Sequence, residues 1–209
     1  MSIIDIDSTT QVDLLRHGEC KSGGTFNGIT DTELSPVGME TMQRRCEVVA
    51  GQWDLIMSSP LKRCLHFANH FGGELDIPVV MDSRLREMSF GDWEGRKTEQ
   101  VWLHDEARVA AWTLDPSKTT PPNGESLYKV SERLADFYDY VLGHYGGKKL
   151  LIVTHGGVIR LLLTRVLGMP LSHANRFDVP HGSMSRINVF HSATGDITKL
   201  LLHDFWHRA

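Results

Sequence analysis

Cysteine is scarce in this chain of 209 residues: Cys20, Cys46 and Cys64 form an odd, widely spaced set. That pattern argues for reduced thiols and against a disulfide frame. No apolar run approaches the roughly 18 residues that a membrane span requires. The longest, around Val158 to Leu167, is broken by Arg160 and Arg165, so no membrane partner is expected. Met1 to Thr10 carries Asp5 and Asp7 and lacks the apolar stretch of a signal peptide. Residues 1–10 are therefore read as an N-terminal extension and 11–209 as a single domain, with the cytoplasm as the default location. Basic clusters are missing too. With 22 Lys and Arg against 26 Asp and Glu, the net charge is -4, and nucleic acid is not an expected partner. Repeats, low-complexity tracts and linkers are absent, and the only shift in composition is the proline-rich loop from Asp115 to Asn123.

What is present is ordinary globular composition, 41% hydrophobic with 19 glycines, and eleven histidines. Gln11 to Leu15 is a short apolar run that stops at Arg16-His17-Gly18, as a buried strand does at a loop. Ser35-Pro36 and Ser59-Pro60 each combine an N-cap with a first-turn proline. The first opens a helix carrying Met39, Met42, Cys46 and Val49; the second, a helix with a stripe of Leu61, Cys64, Leu65, Ala68 and Phe71. Asp54 to Ser58 and Pro78 to Met81 read as strands, and Asp82 to Lys97 as mainly loop. Helices follow at Thr98 to Trp112 and at Glu125 to Tyr145, the latter after a possible Asn123 cap. Leu150 to Thr154 is a buried strand that runs into His155-Gly156-Gly157 and a helix to Leu167. Ser185 to His191 and Ile197 to His203 close the chain as a hairpin. The alternation predicts an α/β fold, a three-layer sandwich with a mostly parallel central sheet and helices on both faces. Ligands in such folds bind beyond the carboxyl ends of the strands, where His17 and His155 both fall.

Four clusters could carry chemistry, and each has a plain structural alternative. Arg16-His17-Gly18 sets a permanent cation beside an imidazole at a strand end, which suits anions; a surface arginine with a loop histidine fits equally. Thr154-His155-Gly156-Gly157 places an imidazole and two unobstructed amides at a helix start, an anion site unless it is only a connecting turn. Arg63 falls opposite the apolar stripe of its helix and, on that geometry, faces solvent. Arg84 to Arg96 mixes carboxylates, arginines and Trp93, as an exposed ion-pair network would.

Together these clusters resemble the histidine phosphatase, or phosphoglycerate-mutase-like, superfamily. Five ordered motifs carry the resemblance over most of the chain: Arg16-His17-Gly18, the stretch from Gly28 through Asp31, Leu34 and Ser35 to Gly38, Ser58 to Arg63, Leu85 to Gly95, and Thr154 to Gly157. The resemblance implies that His17 is the nucleophile, attacking a phosphate monoester to form a phosphohistidine that water then hydrolyses. Arg16, Arg63 and His155 would surround the transferring phosphoryl group. Glu87 would protonate the leaving alcohol and then activate water. Asn27, Gly28 and the Gly156 amide are further expected substrate contacts. Physical chemistry agrees: nearby arginines disfavour imidazolium and keep His17 unprotonated, whereas an incoming phosphate dianion raises the proton affinity of Glu87. No metal and no other cofactor is required.

Within the family the chain is most similar to bacterial alpha-ribazole phosphatases, which remove phosphate while the nucleotide loop of cobalamin is built. The likeness rests on Gly23-Gly24 before Phe26-Asn27-Gly28 and on the run from Arg84 to Gly95. A phosphoglycerate mutase or a broad sugar-phosphate phosphatase is the alternative. The segment from Cys20 to Phe26 is shorter than in mutases and lacks their asparagine, which weighs against the former. Two readings of other classes remain: a noncatalytic module that binds phosphorylated ligands, and a metal protein built on His66 with His70 or His203 with His207. Nothing in the sequence fixes an oligomeric state.

Overall fold

A computed structural model describes residues 6–49 and 52–204. The chain runs through β1 (Ser8–Arg16), α1 (Pro36–Val49), β2 (Leu55–Ser58), α2 (Lys62–Leu75), β3 (Val79–Met81), α3 (Thr98–Leu114) and α4 (Leu127–His144). It continues through β4 (Lys149–Thr154), α5 (Gly156–Val166), β5 (Met184–His191) and β6 (Ile197–His203). The six strands form one sheet in the order β3-β2-β4-β1-β5-β6. β3, β2, β4 and β1 are parallel, and β5 pairs antiparallel with both β1 and β6, so the closing hairpin supplies the antiparallel part. No helix among the described residues is long and apolar enough to cross a membrane.

Strand alternation explains the three layers, because successive side chains point to opposite faces of a sheet. Val12, Leu14, Leu150 and Ile152 pack with α4 and α5. Leu15, Leu151 and Val153 pack on the other face with Met42 and Cys46 of α1 and Phe67 and Phe71 of α2. A smaller cluster of Trp93, Val101 and Val109, with Phe26, Phe90 and Trp112 against it, seats α3.

Several local expectations shift. β1 begins at Ser8, because Ser8, Thr9 and Thr10 pair with His191, Phe190 and Val189 despite their polarity. The expected extension therefore contributes to the sheet, while residues 1–5 lie outside the described residues, as does His207 of the second histidine pair. Helix α2 starts at Lys62 rather than at Ser59-Pro60. Its first amide is capped from a distance, by Asp31 Oδ1 accepting from Lys62 N at 2.7 Å. The Asn123 cap of α4 is replaced by Ser126, whose hydroxyl accepts from Lys129 N, while Asn123 takes a left-handed φ of 56° and donates to Asp92. The stretch from Asp82 to Lys97 is indeed mainly loop, with two short 3-10 turns, but it is no exposed ion-pair network: Leu85, Glu87, Met88 and Trp93 are all buried.

The register sets up the site. Arg16 lies opposite Thr154, and Ser58 opposite Val153, so β1, β2 and β4 end side by side. The residues that follow them, His17, Ser59 and His155, are thereby brought together.

Candidate active site

His17 leaves β1 with its backbone N–H donating to Thr154 O at 2.9 Å, and the residue is only 5% exposed. Ring Nδ1 lies 2.8 Å from Gly18 O, an acceptor, which assigns the proton to Nδ1 and leaves Nε2 with its lone pair. Burial, then the guanidinium groups of Arg63 and Arg16, push the imidazole well below its usual pKa, so it is neutral. Its ring sits 5.2 Å from that of His155 and 5.3 Å from that of His181.

Arg16 donates through Nη1 to Val179 O at 2.5 Å and through Nη2 to His181 Nε2 at 2.9 Å, while its buried Nε has no partner. Burial draws its pKa down to about 10. His181, which the sequence reading passed over, is drawn down to about 4 by burial first and then by Arg16 and Arg63, so it accepts as a neutral ring.

Arg63, expected on helical geometry to face solvent, is fully buried. The loop from Asn27 to Thr30 folds over it. Its Nε donates to His155 Nδ1 at 3.2 Å, Nη1 to Thr30 O at 2.8 Å, and Nη2 to Asn27 O and Gly28 O at 3.0 and 2.6 Å. His155 is fully buried as well, and burial followed by the charge of Arg63 holds it well below the usual imidazole range. Because Arg63 donates to Nδ1, the His155 proton sits on Nε2 and goes to Ser59 Oγ at 2.7 Å. That bond occupies the serine that reads, in sequence, as a helix cap.

Glu87 is 7% exposed and is held by two backbone amides: Oε1 accepts from Met88 N and Oε2 from Gly157 N, each at 3.0 Å. The second donor is in the first turn of α5, where the helix dipole favours a carboxylate. A Cβ at position 157 would lie 2.6 Å from Glu87 Oε1, so any larger residue there displaces the carboxyl group.

Arg16, His17, Glu87, Asn27 and Gly156 all line one cleft of about 730 Å³. Arg63, His155 and Gly28 stand behind it; Gly28 contributes its carbonyl to Arg63 and its amide to Glu94 Oε2. The Asn27 side chain bonds within its own loop, to Ser22 and Thr25. Beyond the charged end the cleft is walled by Phe26, Met88, Phe90, Trp112 and Leu161. Arg160 and His181 also border it. The arrangement offers a neutral nucleophilic nitrogen, guanidinium donors and a carboxyl group at one end of an apolar and aromatic cavity. The paired histidines considered as metal ligands have other bonds: His70 with Gln43 and Glu74, His203 with Ser185 and Asp178 O.

The family model for the histidine phosphatase superfamily, branch 1, matches residues 12–199. The adenosylcobalamin/alpha-ribazole phosphatase of Escherichia coli K12 is 32% identical over 179 residues, 84% of this chain and 88% of its own. The glucosyl-3-phosphoglycerate phosphatase of Mycolicibacterium vanbaalenii is 34% identical over 170 residues, 77% of this chain and 75% of its own. Among solved structures, the alpha-ribazole phosphatase of Shigella flexneri superposes with a TM-score of 0.76 at 31% identity, covering 91% of this chain and 95% of its own.

Proposed function

The chain belongs to the histidine phosphatase superfamily and is a phosphatase of that family, and from this premise we propose that it hydrolyses alpha-ribazole phosphate through a phosphohistidine on His17. One observation carries the chemistry: the His17 proton is committed to Gly18 O, so a neutral Nε2 stands in the same cleft as the Arg16 guanidinium and the Glu87 carboxyl.

In the first step His17 Nε2 attacks phosphorus in line as the ester P–O bond breaks, and Glu87, acting as general acid, gives its proton to the departing alkoxide. Arg16 and the amide end of α5 stabilise charge on the equatorial oxygens. In the second step Glu87, now a carboxylate, takes a proton from water as the water oxygen attacks phosphorus. The P–N bond breaks, and free imidazole and inorganic phosphate result. His155 and Arg63 keep the strand ends and the Asn27–Thr30 loop in register behind the nucleophile. None of these steps calls for a metal.

The walls of Phe26, Phe90 and Trp112 suit the flat base of alpha-ribazole, and the relatives from Escherichia coli and Shigella flexneri bear that activity in their names. The test is release of phosphate from alpha-ribazole phosphate, phosphoglycerate and an aryl phosphate, by wild type and His17→Ala, in excess chelator. The reading expects a large preference for alpha-ribazole phosphate that vanishes in the variant. Equal slow hydrolysis of all three would withdraw the substrate while keeping the chemistry. No release from any ester would leave a module that only binds phosphorylated ligands.

A further inference from the structure

His181 takes part in none of the steps above, yet the chain is built to deliver it. The turn that follows it is tied to the end of β1 by backbone bonds: Gly182 N donates to His17 O at 3.2 Å, and Arg16 N to Ser183 O at 3.0 Å. The buried Arg45 of α1 adds a third tie, donating through Nε to Gly182 O at 3.0 Å while its Nη2 holds Asp204 Oδ1 at 3.1 Å. Gly182 turns with a left-handed φ of 71°, and a Cβ there would meet Thr41 Cγ2 of α1 at 2.5 Å, so glycine lets the turn close.

These ties set up one side-chain contact, from Arg16 Nη2 to His181 Nε2 at 2.9 Å, beside the bond from Arg16 Nη1 to Val179 O. An arginine only donates, so Nε2 carries the lone pair and the His181 proton is on Nδ1. Both acceptors come from one short segment, and both are uncharged. With one held at each Nη, the plane of the guanidinium is fixed. Glu87 supplies a charge that favours the Arg16 cation, but its oxygens are committed to the amides of Met88 and Gly157. A carboxylate in place of His181 would hold Arg16 as firmly and also draw off the positive charge that a phosphoryl group meets. An uncharged ring holds the group and leaves that charge in place. Burial first, then Arg16 and Arg63, draw the His181 pKa down to about 4, so at pH 7 the ring remains an acceptor.

We propose that His181 is a positioning residue: its neutral Nε2 fixes the Arg16 guanidinium at the phosphoryl end of the cleft without neutralising it. The inference rests on the reading of that cleft as a phosphomonoester site.

His181→Phe keeps a ring without an acceptor, His181→Gln offers a neutral amide oxygen, and His181→Glu offers a charged one. His181 is exposed, so these changes spare the core, and circular dichroism and melting check each variant. The readouts are inhibition by inorganic phosphate and turnover of an aryl phosphate and of phosphoglycerate. His181→Phe should lower kcat/KM for both esters about ten- to a hundredfold, and His181→Gln should stay within about threefold of wild type. His181→Glu should raise the phosphate inhibition constant about tenfold with an unchanged melt. In an Arg16→Gln background, His181→Phe should change the residual turnover less than about twofold, because it acts through Arg16. Wild-type kinetics in His181→Phe overturn the proposal, as does a loss in His181→Gln equal to that in His181→Phe. Wild-type phosphate inhibition in His181→Glu overturns it too. Losses that add in full to those of Arg16→Gln would show that His181 meets the substrate directly, and they count against it equally. If wild type hydrolyses no ester, the hydrolase reading fails by itself. Calorimetric titration of phosphate into wild type and the three His181 variants then still decides the role of His181, since binding needs no turnover, and a wild type that binds no phosphate overturns both.

Discussion

Substituting Gly157 by alanine separates the placement of Glu87 from the stability of the fold. The added Cβ would stand 2.6 Å from Glu87 Oε1, 3.3 Å from Cδ and 3.4 Å from Oε2. The obstacle is the tip of a flexible side chain, so the carboxyl group retreats and the backbone stays. A displacement of about half an ångström to one ångström in the group that must hand a proton to the leaving oxygen costs roughly ten- to a hundredfold in turnover. Two stability terms oppose one another. Alanine in place of glycine within a helix contributes about 0.5–1 kcal/mol, and weakening the bond from Gly157 N to Glu87 Oε2 costs about 1.5–3 kcal/mol. The net is a loss of about 1–2 kcal/mol, a few degrees in Tm for a chain of this size. The assay is kcat on an aryl phosphate beside a thermal melt. Wild-type kcat in Gly157→Ala would refute the argument, as would an activity loss that merely tracks a collapse of Tm. Non-additivity sharpens the test: once Glu87→Gln has removed the proton donor, Gly157→Ala should cost little more, and additive losses would show that the glycine acts elsewhere.

Two further outcomes follow from the same geometry. His17 and His155 are neutral in the fold well below the usual imidazole pKa, whereas in the unfolded chain they take up protons as pH falls through about 6.5. The unfolded state then holds more protons, so stability should drop as pH is lowered from 7 toward 5, with a slope approaching about 1.4 kcal/mol per pH unit for each ring. Urea unfolding at pH 7, 6 and 5 measures it, and a flat profile would contradict two buried neutral imidazoles. Glu94 accepts from the amides of Gly28, Ile29, Thr30 and Phe90 and from the Thr30 hydroxyl, tying the loop over Arg63 to the loop that carries Glu87. Glu94→Gln turns one acceptor into a donor facing amides and should cost about 2 kcal/mol or more, several degrees of Tm, with a parallel loss of turnover. An unchanged melt would mean that the brace is dispensable.

The parts of the site legible in sequence are those set by a strand end and a neighbouring glycine. Arg16-His17-Gly18 and His155-Gly156-Gly157 announce themselves because a buried apolar run must stop before a polar triplet, and parallel strands in register bring such stops together. Arg63 was misplaced by helical periodicity for a physical reason. The wheel treats a helix as if only its core face were covered, whereas the carbonyls of Asn27, Gly28 and Thr30, more than thirty residues upstream, roof the opposite face and bury the guanidinium. The cap signature at Ser59-Pro60 marks a turn and not the helix start: the serine hydroxyl accepts from Leu61 N as well as bonding His155, 96 positions away, and the helix takes its cap from Asp31.

His181 was overlooked although the chain gave a signal, a third His-Gly pair at His181-Gly182 that matches those at positions 17 and 155. It sits just before β5, the strand antiparallel to β1, so the start of β5 meets the end of β1 and delivers the imidazole to Arg16. A rule that looks for ligands only at the carboxyl ends of strands cannot find it. In a mixed sheet the amino end of an antiparallel neighbour belongs to the same edge. That reversal allows the closing hairpin to complete a site begun by the parallel strands: it supplies His181, and the segment leading into it supplies the Val179 carbonyl that holds the other arm of Arg16.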